Sequence, residues 1–141
     1  MAEAVARRVA AELGWSGVEV ASAGVSAAEG DVASRGAASA ALRHGLDLAG
    51  HRAHRLTPAD VARADLVLAM GPSHLDLVVE AGGGGKAHLL HDFASGGEGS
   101  PSHLGVPDPF GGTDADYEAT FTQLEALVRQ AFRRIAPRAA P

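Results

Sequence analysis

Leu66-Val67-Leu68-Ala69-Met70 is the stretch that most constrains what this chain can fold into. The run is wholly apolar and too short for a helix of its own. Asp65 closes it on one side and Gly71-Pro72 on the other. An apolar run without polar alternation is what a strand covered on both faces requires, and such strands belong to parallel sheets flanked by helices.

The rest of the sequence alternates to match. Residues 2–13 predict a helix, with Val5, Val9 and Leu13 recurring on one face and Gly14 as its stop. Its pattern is helical from Ala2, so nothing caps its first turn. Val18-Glu19-Val20-Ala21 reads as a short strand running into the turn Ser22-Ala23-Gly24, and residues 25–33 as a surface loop. Residues 35–44 predict a second helix, weakened by Gly36, with Leu42 and the alanines inward and Gly45 as its stop. Thr57-Pro58 is a clean helix start, a cap followed by proline at the first helical position, for a brief helix ending near Ala64. After the apolar run come a helix over 73–81, a flexible glycine tip over 82–85 and a strand at Ala87-His88-Leu89-Leu90. A loop over 94–105 and a long helix over 114–135 complete the chain. Phe121, Leu124, Leu127, Val128, Phe132 and Ile135 form the buried stripe of that helix. Strands alternating with helices predict an α/β sandwich with a parallel sheet, in one domain without internal repeats.

Bulk composition narrows the function classes. The chain has 141 residues, 46% hydrophobic and 21% charged, which suits one globular domain. Aromatics make up only 4%, so Ala, Val and Leu must fill the core. A net charge of -5 argues against a nucleic-acid or anionic-membrane partner. With no apolar run of transmembrane length and no signal-like N-terminus, a cytoplasmic protein is expected. The seven histidines form no ligand pattern: His88 and His91 fall on opposite faces of a strand, and neither a metal nor a cofactor is expected. Gly82 to Gly85 lacks the Lys-Ser/Thr of a nucleotide loop and follows a helix. Cysteine is absent altogether, which excludes disulfides and thiolate metal sites.

Val106-Pro107-Asp108-Pro109-Phe110-Gly111-Gly112 is the chemically suggestive stretch. Two prolines restrict the backbone on either side of Asp108, so its carboxyl is aimed. Phe110 offers an apolar surface beside it, and a fixed, partly desolvated carboxyl is what a general acid needs. On spacing alone the stretch also reads as an ordinary Asp-Pro turn before a helix. Ser22 and His51, at element ends, are unremarkable on spacing alone.

Met1-Ala2-Glu3-Ala4, Ala21-Ser22-Ala23-Gly24, His51-Arg52-Ala53, the stretch Ala64 to Met70, and Asp108-Pro109-Phe110-Gly111-Gly112 come in one order. That order and spacing resemble the low-molecular-weight protein-tyrosine phosphatase family, over essentially the whole chain. The family includes bacterial protein-arginine phosphatases and related arsenate reductases, and the Asp-Pro-Phe-Gly-Gly form looks most like the arginine-phosphatase branch. The resemblance implies a three-layer α/β sandwich with a four-stranded parallel sheet. It also implies a cysteine nucleophile in a C-x5-R phosphate loop after the first strand, acting on phosphorylated protein side chains without a cofactor. By position, Asp108 matches the general acid and Phe110 the aromatic residue flanking the substrate. Ser22 and His51 match polar residues that brace the phosphate loop. His54 falls where many members have Arg, and no role carries over to it. The first strand, nucleophilic Cys and phosphate-binding Arg have no counterpart in this sequence. Phosphotyrosine and phosphoarginine both remain open as substrates. A catalytically inactive pseudo-phosphatase that binds or regulates is the alternative. An arsenate reductase would need further thiols, which the sequence lacks.

The resemblance places the missing strand inside the sheet. At about 1.5–3 kcal/mol per fully buried large side chain, its loss rivals the roughly 5–15 kcal/mol that stabilises a whole domain. The expectation is that Met1 is an internal methionine and that residues 1–141 alone are aggregated or molten. Thermal melts and near-UV circular dichroism of this chain and of a longer form carrying the strand check it. A cooperative monomeric melt of residues 1–141, near the midpoint of the longer form, would overturn the expectation and favour the pseudo-phosphatase.

Overall fold

The computed structural model describes residues 1–97 and 105–139, with side chains described as far as 135. Its elements are α1 (Ala2–Glu12), α2 (Arg35–Arg43), α3 (Pro58–Arg63), β1 (Val67–Ala69), α4 (Pro72–Val78), β2 (Ala87–Leu89), α5 (Leu90–Ser95) and α6 (Asp114–Ala139). A π-helical turn, Val79–Gly83, continues α4.

The longest helix organises the core. Tyr117, Phe121, Leu124, Leu127, Val128 and Phe132 of α6 are buried, with Phe121 fully enclosed. Against this stripe pack Val5, Val9 and Ala10 of α1, Ala40 and Ala41 of α2, and Leu90 and Ala94 of α5. The shortage of aromatics is met by close approach: Gly36 lies flat on the Tyr117 ring, where a Cβ would come within 2.3 Å of Cε2. Polar contacts rim the apolar ones. Arg8 joins Glu125 and the His44 carbonyl, and Arg43 and His44 both meet Glu118. The His44 ring also stacks on Phe121 at 4.1 Å.

The sheet lies beside this core. β1 and β2 run parallel, with Val67, Leu68 and Ala69 opposite Ala87, His88 and Leu89. Alternate strand residues point to opposite faces. Leu68 and Met70 therefore lean on the α6 cluster. Ala69 is buried outside it, as are Val61 of α3, Val78 of α4 and Leu89. Helices on both sides of a parallel pair are the layered arrangement that the alternation predicted.

Several expectations need correction. Of the four-stranded sheet that the resemblance implies, less the first strand that has no counterpart here, the described residues build two strands. Residues 18–21 form no strand. The Val20 carbonyl accepts from Arg7 Nη2 at 3.0 Å instead of from a neighbouring strand. Only further on does the chain find backbone partners, in single bridges from Gly24 to Arg55 and from Val32 to Arg52. Strand character is conferred by a neighbour's ladder, and the β propensity of Val18 and Val20 does not supply one. The cover on the two faces of β1 is only partial, since Val67 and Leu68 stay half-buried. Leu13 and Leu42, expected inward, are 50% and 63% exposed. The glycine tip is not simply flexible, because Gly83 is buried under Val78 with no room for a Cβ. His91 sits in α5, a short helix that the sequence reading placed partly in strand and loop, so strand geometry does not relate it to His88. Residues 98–104 of the expected loop lie outside the described residues.

What this frame positions is the Asp108 loop. Its entry is fixed by Val106, whose N–H donates to the Met70 carbonyl at 2.7 Å, just past the end of β1. Gly105 allows that approach: a Cβ there would lie 2.3 Å from the Met70 oxygen and 2.7 Å from the Gly71 Cα. Both obstacles are backbone and cannot swing aside. The exit is fixed by a reciprocal cap on α6, where Thr113 N donates to Asp116 Oδ2 at 2.8 Å and Asp116 N to Thr113 Oγ1 at 3.2 Å. Gly105→Ala should therefore cost roughly 1–3 kcal/mol, the usual range for forced overpacking. It should also remove the protection of the Val106 amide. Denaturant melts and amide exchange check this, and wild-type values for both would show that the loop is not anchored here.

Candidate active site

The four residues singled out from the sequence fall into two pairs. Asp108 and Phe110 share the loop that leads into α6 and is anchored beside the end of β1. Asp108 Oδ1 accepts from the Phe110 N–H at 3.0 Å, so the carboxylate is fixed by its own turn. The Gly112 N–H closes the turn onto the Pro109 carbonyl at 2.8 Å, and Gly111 takes the left-handed conformation, φ 81°, that lets the chain reverse. The aim inferred from the two prolines is present. The desolvation is not: Asp108 is exposed, and Phe110 is 78% exposed and projects its ring into solvent. A carboxyl placed this way can accept or deliver a proton at the surface of the molecule. A neighbouring ring left open can lie against an incoming apolar or planar group.

Beside Phe110 the surface is hollowed. A cavity of about 570 Å³ is lined by Ser34, Arg35, Gly36 and Ser39 of the α2 start, by Phe110 to Gly112, and by Asp114 and Tyr117 of α6. Ser34 caps α2 by accepting from Ala37 N at 3.3 Å, and its hydroxyl also reaches the Tyr117 hydroxyl at 3.3 Å.

Ser22 and His51 come together on a residue to which the sequence reading assigned no role. Ser22 Oγ donates to Glu3 Oε2. His51 Nδ1 lies 3.7 Å from the same oxygen. The other oxygen, Oε1, pairs with Arg7 Nη2 at 2.7 Å, one helical turn along α1. Glu3 thus gathers three elements: α1, the segment leading to Gly24 and the segment before α3. Its side chain is largely buried, with 17% exposed. No side chain caps α1, so a carboxylate in its first turn also answers the positive end of the helix. A Glu-Arg pair four apart at the start of an uncapped helix was the available signal. Its distant partners could not be read from spacing. Among the described residues no hydrogen bond or ion pair joins the Glu3 group to the Asp108 loop.

His54, which carried no role from the sequence, is well partnered. Its Nδ1 meets Glu29 Oε1 at 3.0 Å and its Nε2 meets Asp60 Oδ2 at 2.7 Å. No cluster of His, Asp and Glu among the described residues is arranged to hold a metal ion. No helix among them is long and apolar enough to cross a membrane.

The chain as a whole is similar to known proteins. The protein-arginine-phosphatase of Geobacillus stearothermophilus is 40% identical over 114 residues, covering 79% of this chain and 73% of that protein. The protein-arginine-phosphatase of Bacillus subtilis (strain 168) is 34% identical over 137 residues, covering 96% and 87%. Among solved structures, a cysteine-to-serine mutant of the YwlE arginine phosphatase with a phosphorylated active-site serine superposes with a TM-score of 0.84. That pair is 34% identical, over 95% of this chain and 85% of that one. Residues 1–139 match the family described as low molecular weight phosphotyrosine protein phosphatase. The chain, cysteine-free as it is, belongs to that family.

Proposed function

We propose that this chain serves the cysteine-dependent dephosphorylation of protein side chains in the cytoplasm, with Asp108 as the general acid. The observation that carries the reading is the Asp108 loop, pinned to the end of β1 at Val106 and to α6 at Thr113, with the carboxylate held by the Phe110 N–H. In open parallel sheets the strand ends are where ligands bind. A thiolate attacks phosphorus and forms a sulfur–phosphorus bond. The bond from phosphorus to the leaving oxygen or nitrogen breaks, and Asp108 delivers a proton to that atom. Water then cleaves the phosphocysteine, with Asp108 taking back a proton. Phe110 lies against the side chain being dephosphorylated. Ser22 and His51, gathered by Glu3, brace the phosphate-binding loop. Phosphoarginine is the favoured substrate over phosphotyrosine, supported by the two arginine phosphatases that this chain resembles over most of its length.

These 141 residues hold the acid and its supports but no thiol. That single fact favours a second reading for the chain by itself, a non-catalytic module that binds phosphorylated proteins.

The chain alone should show no turnover of p-nitrophenyl phosphate or phosphoarginine. Joined to a cysteine-bearing phosphate-loop segment from one of its relatives, it should turn over both. In that form Asp108→Asn should slow a substrate with a poor leaving group by roughly 10²–10⁴-fold, the usual worth of general acid catalysis. The loss should be smaller for p-nitrophenyl phosphate, whose leaving group needs little protonation. Steady-state kinetics decide the matter. An unchanged rate on the poor leaving group removes Asp108 from the mechanism, and no turnover by a well-folded joined form favours the binding module.

A further inference from the structure

The loop over 24–33 is clasped to the segment before α3 along much of its length. Gly24 N donates to the His54 carbonyl at 2.9 Å and Leu56 N to the Gly24 carbonyl at 3.0 Å. Gly30 N donates to the Ala53 carbonyl at 2.8 Å and Ala53 N to the Asp31 carbonyl at 2.7 Å. One side-chain connection goes further and ties the loop to a helix. Both ring nitrogens of His54 face carboxylates, Glu29 from the loop and Asp60 from the first turn of α3.

That arrangement has a strict proton requirement. Carboxylates only accept, and a neutral imidazole has a single N–H. Both contacts are hydrogen bonds only when His54 is an imidazolium; a neutral ring must turn a lone pair towards one carboxylate. The two sides are not equally replaceable. Asp60 Oδ2 is locked into the cap of α3, where it also receives the Thr57 N–H and the Thr57 hydroxyl, each at 2.8 Å. Glu29 is the more exposed partner, 64% against 21% for Asp60. It keeps an independent hold on the Arg55 N–H, at 2.7 Å through its other oxygen.

We propose that His54 is a proton-operated clasp: charged, it ties the 24–33 loop to α3, and neutral, it keeps Asp60 and releases Glu29.

The charged groups that face the ring are Glu29 from the loop and Asp60 from α3. Arg63 reaches Asp60 Oδ1 from within α3 at 3.9 Å, and Arg55 follows next in the chain. Hydrogen bonds to Glu29 and then to Asp60 hold the His54 proton above the usual histidine range. The Arg55 N–H and then His54 hold Glu29 below the usual carboxylate range. The Thr57 hydroxyl and N–H, followed by His54, do the same for Asp60. The sign follows. The histidine contribution is complete below its unfolded value of about 6.5 and is lost as pH rises through the raised folded value. On the acid side it is lost as the carboxylates protonate, below their ordinary range. The clasp is therefore shut at mildly acidic pH and opens as pH rises through the folded value of His54, which lies above 6.5. Ser22 enters the loop two residues before Gly24, and His51 lies three residues before His54. The clasp therefore sets how firmly the two segments that meet on Glu3 are held together.

The test is pH-dependent NMR of the intact, ¹⁵N-labelled 141-residue chain. The His54 ring nitrogens should titrate above 6.5. The protection of the Gly30 and Arg55 amides, relative to their intrinsic exchange rates, should fall roughly two- to fivefold through that midpoint, the range expected of an exposed ion pair. Amides inside α6 should keep theirs. His54→Arg, which keeps a permanent charge, should hold the protection level at every pH above the range in which the carboxylates protonate, and His54→Gln should show the reduced level throughout. A ring that titrates at or below 6.5, protection that does not change through the midpoint, or a response at that midpoint that survives in His54→Arg would each overturn the clasp.

Discussion

The structure depends on one long helix having only one way to bury its apolar stripe. α6 presents Phe121, Leu124, Val128 and Phe132 along a single face, and α1, α2 and α5 are arranged so that each covers part of it. Phe121 is enclosed completely, with the His44 ring laid flat on one side. Aromatics are too few to fill the gaps, so closeness comes from alanines and from Gly36 under Tyr117. Interiors of this kind gain stability from many small dispersion contacts and tolerate little change of volume.

The candidate site takes its geometry from the edges of that arrangement. The cap that starts α6 also ends the Asp108 loop, so packing of the helix fixes one side of the loop. The other side is held at Met70, whose side chain itself leans on the α6 cluster. An exposed carboxylate is thereby given a defined position without burial. Such a group stays solvated until a partner covers it, and covering it would change its surroundings most at the moment of binding.

How much of this could be read from the sequence depended on how local each signal was. The cap at Thr57, the stop at Gly14 and the α6 stripe are set by neighbours within about one helical turn, and spacing revealed them. The β1 run was found too, though not the exposure of Val67 and Leu68, because burial depends on what lies alongside. Residues 18–21 carry β-formers but no ladder, a property that belongs to a pair of strands. At the site, Asp108 and Phe110 announced themselves through the prolines and glycines around them. The meeting of Ser22 and His51 on Glu3 did not, since residues in three separate segments converge there. The His54 bridge was missed for the same reason.

The pairing of α1 with α6 also governs the order of events during synthesis. Arg8 meets Glu125, and Glu12 meets Arg129, each pair separated by 117 positions. The residues of α1 are synthesised 117 positions ahead of the α6 residues they pair with. Until then Val5 and Val9 have no permanent partner, and closing so long a loop delays the contact further. The cluster shared by α1, α2, α5 and α6 therefore cannot close until α6 has been made. An Ala- and Val-rich helix left open for that time exposes apolar surface that can drive aggregation.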